Sequence, residues 1–227
     1  MQPNKHTNER NEKTLAESIR KLEINISPSK DVIWKKPSAL RVIDCVLSLN
    51  RKYDSVVLPR ILNFEKNFPE ILTVTDLISA MDGYESYLEF SKIALNYNDH
   101  RRSQILFEVA LYLRNVIGDD KDDLCSLTYW AQAMRPRDYL NVKVKGFGIA
   151  GFQYMRMLFG ADTSKPDVHV INWVEKEIGT KLSAIDTLEL VEKVARHVGV
   201  VVRDLDTTIW EMGARSTAHV PKRLLPG

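Results

Sequence analysis

Apolar side chains recur at helical spacing through the middle of the chain, and polar runs separate the apolar stretches. Residues 38–50 are broadly apolar and follow Pro37. Residues 103–117 place four apolar side chains on one stripe of a helix: Ile105, Val109, Tyr112 and Val116. An acidic run at 119–123 interrupts the stripe, and the spacing then resumes through Leu124, Leu127, Trp130 and Met134. The pattern predicts three helices, with a solvated turn at 119–123.

Two polar residues mark the starts of later helices. Ser183, with Asp186 three positions further on, predicts the N-cap of a helix that runs to about Val198. Asp204 predicts the cap of a last helix that includes Trp210. Together with the earlier stretches, these signals predict an all-α fold.

Composition narrows the class of protein. A chain of 227 residues that is 44% hydrophobic is long enough to bury the core of one large or one two-lobed domain. We expect no membrane partner, because no run of eighteen apolar residues is present and the first residues lack the apolar core of a secretory signal. Two cysteines, Cys45 and Cys125, are too few for a disulfide framework. We therefore expect an intracellular protein, in the cytoplasm or at the nucleoid, or in the nucleus of a eukaryote.

The stretch 144–170 carries the most specific chemistry. Gly146 and Gly148, separated by Phe147, let the backbone turn tightly and bring amide N–H groups close to a ligand. An apolar helix is predicted after them, and its N-terminus would suit an anion such as a DNA phosphate. Asp167 follows nineteen positions after Gly148 and precedes another helix with apolar periodicity.

Each of these features also has an ordinary structural interpretation. Glycine often turns the chain at a helix–turn–helix corner, and an aspartate before a helix is commonly its N-cap. The presence of both features at this spacing favours the functional interpretation of each. For Asp167 the roles are compatible, because a cap holds a carboxylate rigidly at the start of a helix.

The two motifs resemble those of the helix-hairpin-helix Gly/Pro…Asp (HhH-GPD) superfamily of DNA glycosylases. Residues 144–152, Val-Lys-Gly-Phe-Gly-Ile-Ala-Gly-Phe, match the two glycines of the family's hairpin. Lys145 replaces the family's proline, and Phe152 replaces its later alanine. Pro-Asp-Val-His-Val at 166–170 matches the segment that carries the family's catalytic aspartate.

The resemblance implies an all-α, two-lobed fold with a DNA-binding hairpin and an interlobe cleft. Fainter similarity at 46–50 and 205–210 extends it over roughly residues 38–213. One lobe would hold the central helices and the hairpin, and the other would combine the N-terminal region with the segment after Asp167. The expected boundaries are a polar N-terminal segment at 1–30, a helical domain at 31–213 with its hairpin at about 136–160, and a C-terminal tail at 214–227.

The resemblance also assigns roles to residues. The Asp167 carboxylate would stabilise positive charge on the sugar and orient the attacking water. Asn50 stands where relatives insert a glutamine into the gap left by a flipped base, although a polar helix terminus is its ordinary interpretation. The expected DNA contacts are Lys143, Lys145, Gly146, Gly148, Ala150, Gly151 and Asn50, with charge added by Arg156. Three aromatic residues are candidates for the walls of a base pocket, although core packing is their ordinary role: Tyr129, Trp130 and Trp173.

One departure from the family bears on mechanism. Members with lyase activity carry a lysine two residues after the second hairpin glycine, and its amine attacks the sugar. Ala150 occupies this position, so we expect water to be the nucleophile; Lys165 is a possible substitute, with a solvated surface charge as its ordinary interpretation. Relatives can hold a structural monovalent cation at the hairpin carbonyls, but the resemblance implies no other cofactor. Two cysteines are too few for the iron–sulfur cluster of some members.

We therefore expect a monomeric, monofunctional DNA glycosylase that acts on double-stranded DNA, as in base excision repair. It would flip a damaged or modified base and hydrolyse its N-glycosidic bond. Two alternatives stay open. One is a helix-hairpin-helix module that binds DNA without catalysis, and the other is a helical protein-interaction domain, which a net charge of only +2 fits somewhat better.

Overall fold

The computed structural model describes residues 5–22, 26, 32–119 and 123–218. All regular secondary structure in these ranges is helical, so the predicted all-α class is confirmed. The twelve α-helices of the described residues are α1 Lys5–Leu22, α2 Ser38–Leu47, α3 Leu58–Asn67, α4 Val74–Asp82, α5 Tyr87–Ala94, α6 His100–Ile117, α7 Asp123–Ala133, α8 Tyr139–Val142, α9 Ile149–Leu158, α10 Val168–Ile178, α11 Ala184–Val198 and α12 Val202–Ala218.

Three short helical turns complete the described secondary structure. Two are 3₁₀ turns at Val32–Lys35 and Pro136–Asp138, and the third is a π turn at Tyr53–Val57. Across the described ranges, no helix is both long enough and apolar enough to cross a membrane.

The described chain divides into two compact units. Residues 32–119 and 123–161 form one, which we call the hairpin unit. Residues 5–22, 26 and 162–218 form the other, which we call the terminal unit.

The N-terminal segment belongs to the terminal unit. The predicted boundaries left residues 1–30 outside the helical domain, but α1 buries Leu15, Ala16 and Ile19 in the core of this unit. These three side chains share one face of a helix whose other positions are mostly polar, which obscures the pattern in the sequence. The predicted tail at 214–227 begins inside α12. The remaining parts of both predicted segments, 1–4, 23–25, 27–30 and 219–227, lie outside the described residues.

In the hairpin unit, α2 packs against α4, α6 and α9. Nine of its ten residues are buried, in agreement with the broadly apolar character of this stretch. The predicted stretch 38–50 is helical only as far as Leu47 and ends in a turn. The stripe predicted for 103–117 is confirmed in α6, where Ile105 and Val109 are buried in the core.

The acidic run was only partly understood from the sequence. Residues 120–122 lie outside the described residues. Asp123 is not solvated, because its carboxylate is buried and accepts the Val74 N–H at 3.0 Å and the Ser38 hydroxyl. Asp123, the last residue of the charged run, is therefore the first residue of α7, and its carboxylate bonds to two other helices.

In the terminal unit, α10 packs against α1 and α12, and α11 packs against α1. The predicted cap of α11 is confirmed, since the Asp186 N–H donates to Ser183 Oγ at 3.2 Å. The predicted cap of α12 is wrong. Asp204 lies in the first turn of that helix, and the Arg203 N–H donates instead to Asp162, 41 residues before Arg203 in the chain, at 3.0 Å.

Candidate functional site

The glycine hairpin connects α8 to α9 in the hairpin unit. After Val142 the chain turns through Lys143, whose φ of 55° and ψ of 21° are left-handed. The Phe147 N–H donates to the Val144 carbonyl at 3.1 Å and closes the turn. Phe147 is itself buried in the core of the unit. One hydrogen bond and one buried ring therefore fix the shape of the hairpin.

Gly146 is required by the fold of the hairpin. Its φ of 93° disfavours any residue with a Cβ atom. A Cβ placed there would also lie 2.9 Å from Ile105 Cδ1 and 3.4 Å from Arg101 Nη2. The Arg101 side chain, which is exposed and belongs to α6, therefore lies alongside the turn. The sequence analysis missed this residue.

Gly148, by contrast, is not required by the fold. Its φ of −88° and ψ of −169° are open to any residue, and a Cβ placed there would meet no described atom within 4 Å. Gly148 is the N-cap of α9, and no side chain of the described residues caps this helix. The first intrahelical bond runs from the Phe152 N–H to the Gly148 carbonyl, so the amides of residues 149–151 precede it. We call this end the open start of α9; Ala150 contributes an amide and a methyl group to it.

Gly151 has a packing role besides the amide that it contributes to the open start of α9. It is buried, and a Cβ there would lie 2.9 Å from both Leu49 Cδ2 and Phe147 Cε2. Its carbonyl accepts the Cys45 thiol at 3.4 Å. Glycine at 151 therefore allows α9 to pack closely on the end of α2, while its amide belongs to the open start and its phosphate contact stays a prediction.

The structure places Asn50 close to the hairpin, in the turn after α2. Its neighbour Leu49 contacts the position of Gly151, and the Leu49 carbonyl accepts Arg102 Nη2 at 2.7 Å. Asn50 is exposed, and its side-chain amide bonds to none of the described residues. Its φ of 56° is left-handed, a conformation that asparagine tolerates well. Both interpretations of Asn50 therefore remain, since a turn residue can also present its amide to DNA.

The predicted basic side chains divide into two groups. Lys143 and Lys145 are exposed beside the glycines. Arg156 is buried instead, where Nε donates to the Ala131 carbonyl at 2.9 Å and Nη1 donates to Gln153 Oε1 at 2.6 Å. A guanidinium held in this way serves the interior of the unit, so the prediction that Arg156 adds charge at the DNA surface is wrong.

Asp167 is the N-cap of α10 in the terminal unit. Its Oδ1 accepts the His169 N–H at 2.9 Å and the Val170 N–H at 3.3 Å. The capping interpretation is therefore confirmed, and the carboxylate is held rigidly at what we call the closed start of α10. Its other oxygen, Oδ2, lies 3.7 Å from Lys165 Nζ. Lys165, whose ordinary interpretation was a solvated surface charge, instead pairs with Asp167 and has only 17% of its side chain exposed.

The connection that leads to Asp167 is buried and polar. Thr163 and Ser164 are fully buried, and both donate to carboxylates of later helices. Thr163 Oγ1 donates to Glu192 of α11, and Ser164 Oγ donates to Asp206 Oδ1 at 2.6 Å. The sequence analysis missed both carboxylates. No local spacing reveals them, because the partners are 29 and 42 residues apart.

The three aromatic residues proposed for a base pocket differ in their surroundings. Trp130 is 5% exposed, its ring packs edge-on against Phe152, and its indole N–H donates to the Tyr112 hydroxyl at 3.2 Å. It is a core residue, so its assignment to a base pocket is wrong. Tyr129 is 76% exposed on the same helix, where consecutive side chains point about 100° apart. Trp173 belongs to the terminal unit and packs on its core.

The hairpin unit also contains a buried carboxylate that the sequence analysis missed. Asp44 of α2 is fully buried, and the hydroxyls of Tyr53 and Tyr154 each donate to it at 2.8 Å. Tyr154 belongs to α9, so Asp44 ties the helix after the hairpin to α2. The pair is 110 residues apart and leaves no local signal in the sequence.

The fold and the site define an all-helical protein with a glycine hairpin in one unit and a carboxylate-capped helix in the other. The chain belongs to the family described as "Domain of unknown function (DUF8548)", whose model matches residues 13–214. No curated protein and no solved structure matches the chain. Within the described ranges, no three histidine, cysteine, aspartate or glutamate side chains cluster as metal ligands would, and the expectations about cofactors stay predictions.

Proposed function

We propose that the protein is a monofunctional DNA glycosylase of the helix-hairpin-helix type, which hydrolyses a damaged or modified base from double-stranded DNA. The observation that carries the proposal is a pair of unlike helix starts. The open start of α9 presents backbone amides behind Gly148, and the closed start of α10 presents the Asp167 carboxylate. The first suits a phosphate, and the second suits a cation that develops during a reaction.

The glycine at 148 adds support. Neither its backbone conformation nor its packing demands glycine. A ligand that must approach the backbone closely would explain the residue, and a phosphate on the amides of α9 is such a ligand. Exposed Lys143, Lys145 and Arg101 around the turn supply positive charge for the same partner.

The order of segments along the chain is a second support. The hairpin belongs to one unit, while α1 folds together with the residues from 162 onwards in the other. The resemblance to the glycosylase superfamily implies this order, with the N-terminal region joined to the segment that follows the catalytic aspartate.

In the proposed reaction, the bond between C1′ of deoxyribose and the base nitrogen breaks, and its electron pair leaves with the base. Positive charge develops on C1′ and the ring oxygen, where the Asp167 carboxylate stabilises it. Water adds its oxygen to C1′, and its proton passes to Asp167 or to the departing base. The products are the free base and an intact abasic strand. Ala150 has no amine to replace the water, and Lys165 is engaged as the cation of an ion pair.

One observation favours a second candidate function. The Lys165 ammonium lies close enough to Asp167 to neutralise part of its charge. A neutralised carboxylate stabilises a sugar cation less well, so this pair favours a helix-hairpin-helix module that binds DNA without cleaving a base. In that case Asp167 would serve only as the cap of α10.

The test is base release from duplex oligonucleotides that each carry one alkylated, deaminated, oxidised or hypermodified base. We compare wild type with Asp167→Asn, because asparagine also caps helices and the fold should survive. Asp186→Asn is the matched control, since it removes an exposed carboxylate from the first turn of α11 in the same unit. We expect Asp167→Asn to release base about 10²–10³-fold more slowly and Asp186→Asn to match wild type.

The outcomes separate the two candidate functions. Strand breakage that requires alkali, and that Asp167→Asn lacks, supports the monofunctional glycosylase. Duplex binding by both proteins without release of any base supports the non-catalytic module. Breakage without alkali, with an adduct that borohydride traps in wild type but not in Lys165→Ala, would contradict hydrolysis by water and identify Lys165 as the nucleophile.

A further inference from the structure

Three carboxylates hold the connection between α9 and α10 to the later helices of the terminal unit. Asp162 caps α12 from this connection, Glu192 of α11 accepts the Thr163 hydroxyl, and Asp206 of α12 accepts the Ser164 hydroxyl. Only Asp206 also bonds the main chain of Lys165, the residue that pairs with Asp167.

Asp206 holds the chain at two consecutive residues with a single oxygen. Its Oδ1 accepts Ser164 Oγ at 2.6 Å and the Lys165 N–H at 2.7 Å. The Lys165 carbonyl in turn accepts the Asp167 N–H at 2.7 Å. A continuous chain of hydrogen bonds therefore runs from α12 through Lys165 to the main chain of Asp167.

The environment of Asp206 makes this anchor sensitive to protonation. Burial raises the pKa of Asp206 from its ordinary value of 3.8 to about 7, against the lowering effect of its two hydrogen bonds. Two charged groups face it from the connection: Asp167 raises the pKa further, and Lys165 lowers it. The charge on Asp206 and the charge on Asp167 are therefore coupled.

We propose that Asp206 is a positioning residue for Asp167, acting through the Ser164–Lys165 turn to set the Lys165 ammonium and the Asp167 carboxylate in place. Asp206 makes no contact with the reacting atoms in this role. The proposal rests on the proposed glycosylase function for its effect on catalysis. Its structural part, that α12 controls the geometry at the closed start of α10, is independent of that function.

The experiment follows the amide N–H signals of His169 and Val170 by NMR, because both amides donate to the Asp167 carboxylate. Asp206→Ala should shift both signals and slow base release at least tenfold. Asp206→Asn keeps an oxygen that can accept both donors, so it should restore the two signals near pH 5 close to their wild-type positions. Between about pH 5 and pH 8 the Val170 signal should move in wild type beyond any movement in Asp206→Asn.

Unmoved His169 and Val170 signals in Asp206→Ala, with changes confined to Ser164 and Lys165, would overturn the proposal. If Asp206→Ala does not fold, Ser164→Ala removes one of the two donors, and the same two signals are expected to move by a smaller amount. Unmoved signals there overturn it equally. If Asp206→Ala moves the two signals but the wild-type protein releases no base, the positioning role is supported and the glycosylase is rejected. If the wild-type protein releases base but Asp206→Ala leaves the two signals in place, the glycosylase is supported and the positioning role is rejected.

Discussion

The starts of α9 and α10 lie within twenty residues of each other in the chain and are built in opposite ways. α9 begins at Gly148, and no side chain of the described residues caps its first amides, whereas α10 begins at Asp167, whose own carboxylate takes up two amides. The two glycines of the hairpin differ likewise. The turn requires glycine at position 146, whereas nothing in the described structure requires glycine at position 148.

The comparison shows how the start of a helix can favour either a negatively or a positively charged ligand. Backbone amides at a helix N-terminus carry partial positive charge and favour an anion. At the closed start that preference is met by the Asp167 carboxylate, whose second oxygen pairs with the Lys165 ammonium and so favours a cation. A protein with one start of each kind can hold a phosphate at one and stabilise a sugar cation at the other, and this is the basis of the proposed function.

The largest effect we expect concerns the pH dependence of the terminal unit. Because burial raises the pKa of Asp206 to about 7, the folded chain binds this proton more tightly than the unfolded chain does. The stability due to the neutral carboxyl is therefore fully present below about pH 4 and is lost as the pH rises through 7. The unfolding free energy of Asp206→Asn should rise relative to wild type by roughly a few kcal/mol between pH 4 and pH 7.5.

Urea unfolding at a series of pH values measures this difference. Other carboxylates titrate in both proteins and cancel. Asp186→Asn, which removes an exposed carboxylate from the same unit, should show no such rise. If the difference in unfolding free energy between Asp206→Asn and wild type stays constant across this range, Asp206 ionises as an exposed aspartate does. Asp206 would then not act as a pH-sensitive anchor for the closed start.

The features that the sequence predicted are those with local causes. The cap of α11 depends on Ser183 and Asp186, three residues apart, and the stripe of α6 depends on spacing within one helix. The capping of α10 by Asp167 is equally local. Because such features depend on residues that are close together in the chain, the sequence pattern is enough to predict them.

The features that the sequence analysis missed depend on packing between distant segments. Asp206 meets Ser164 across 42 residues, and Arg101 lies alongside Gly146 only because α6 packs beneath the hairpin. Trp130 was mistaken for a pocket residue because helical spacing does not say which face of α7 is buried. Asp204 was taken for a cap because the residue that caps α12, Asp162, comes from a distant part of the chain.

A second prediction converts the open start into a closed one. Gly148→Asp and Gly148→Asn have side chains of nearly equal size, and both should fit, since a Cβ at 148 meets no described atom within 4 Å. Both should raise the unfolding free energy by a few tenths of a kcal/mol, because each caps α9 better than glycine. Affinity for duplex DNA should fall about tenfold or more for Gly148→Asp and only a few-fold for Gly148→Asn, because the carboxylate also repels phosphate.

Binding of a fluorescent duplex at several salt concentrations, together with thermal unfolding, measures both quantities. Greater stability with weaker binding is the expected combination. Equal affinity of wild type and Gly148→Asp at low salt would show that the phosphate is not held at the open start, and the contrast with α10 would then carry no functional meaning.

The smallest effect we expect comes from Arg101, which extends the open start beyond the hairpin itself. A Cβ placed on Gly146 would lie 3.4 Å from Arg101 Nη2 and 3.6 Å from its Nε, so the exposed guanidinium lies beside the turn to which we propose that a phosphate binds. Arg101→Ala should weaken duplex binding about threefold and reduce the slope of log affinity against log salt by about one. Lys92→Ala removes an equal charge from the exposed surface of α5 in the same unit, and it should leave the slope unchanged. If both variants lower affinity equally, the hairpin unit attracts DNA by its general charge; if Arg101→Ala alone does so, α6 contributes a defined phosphate contact to the open start.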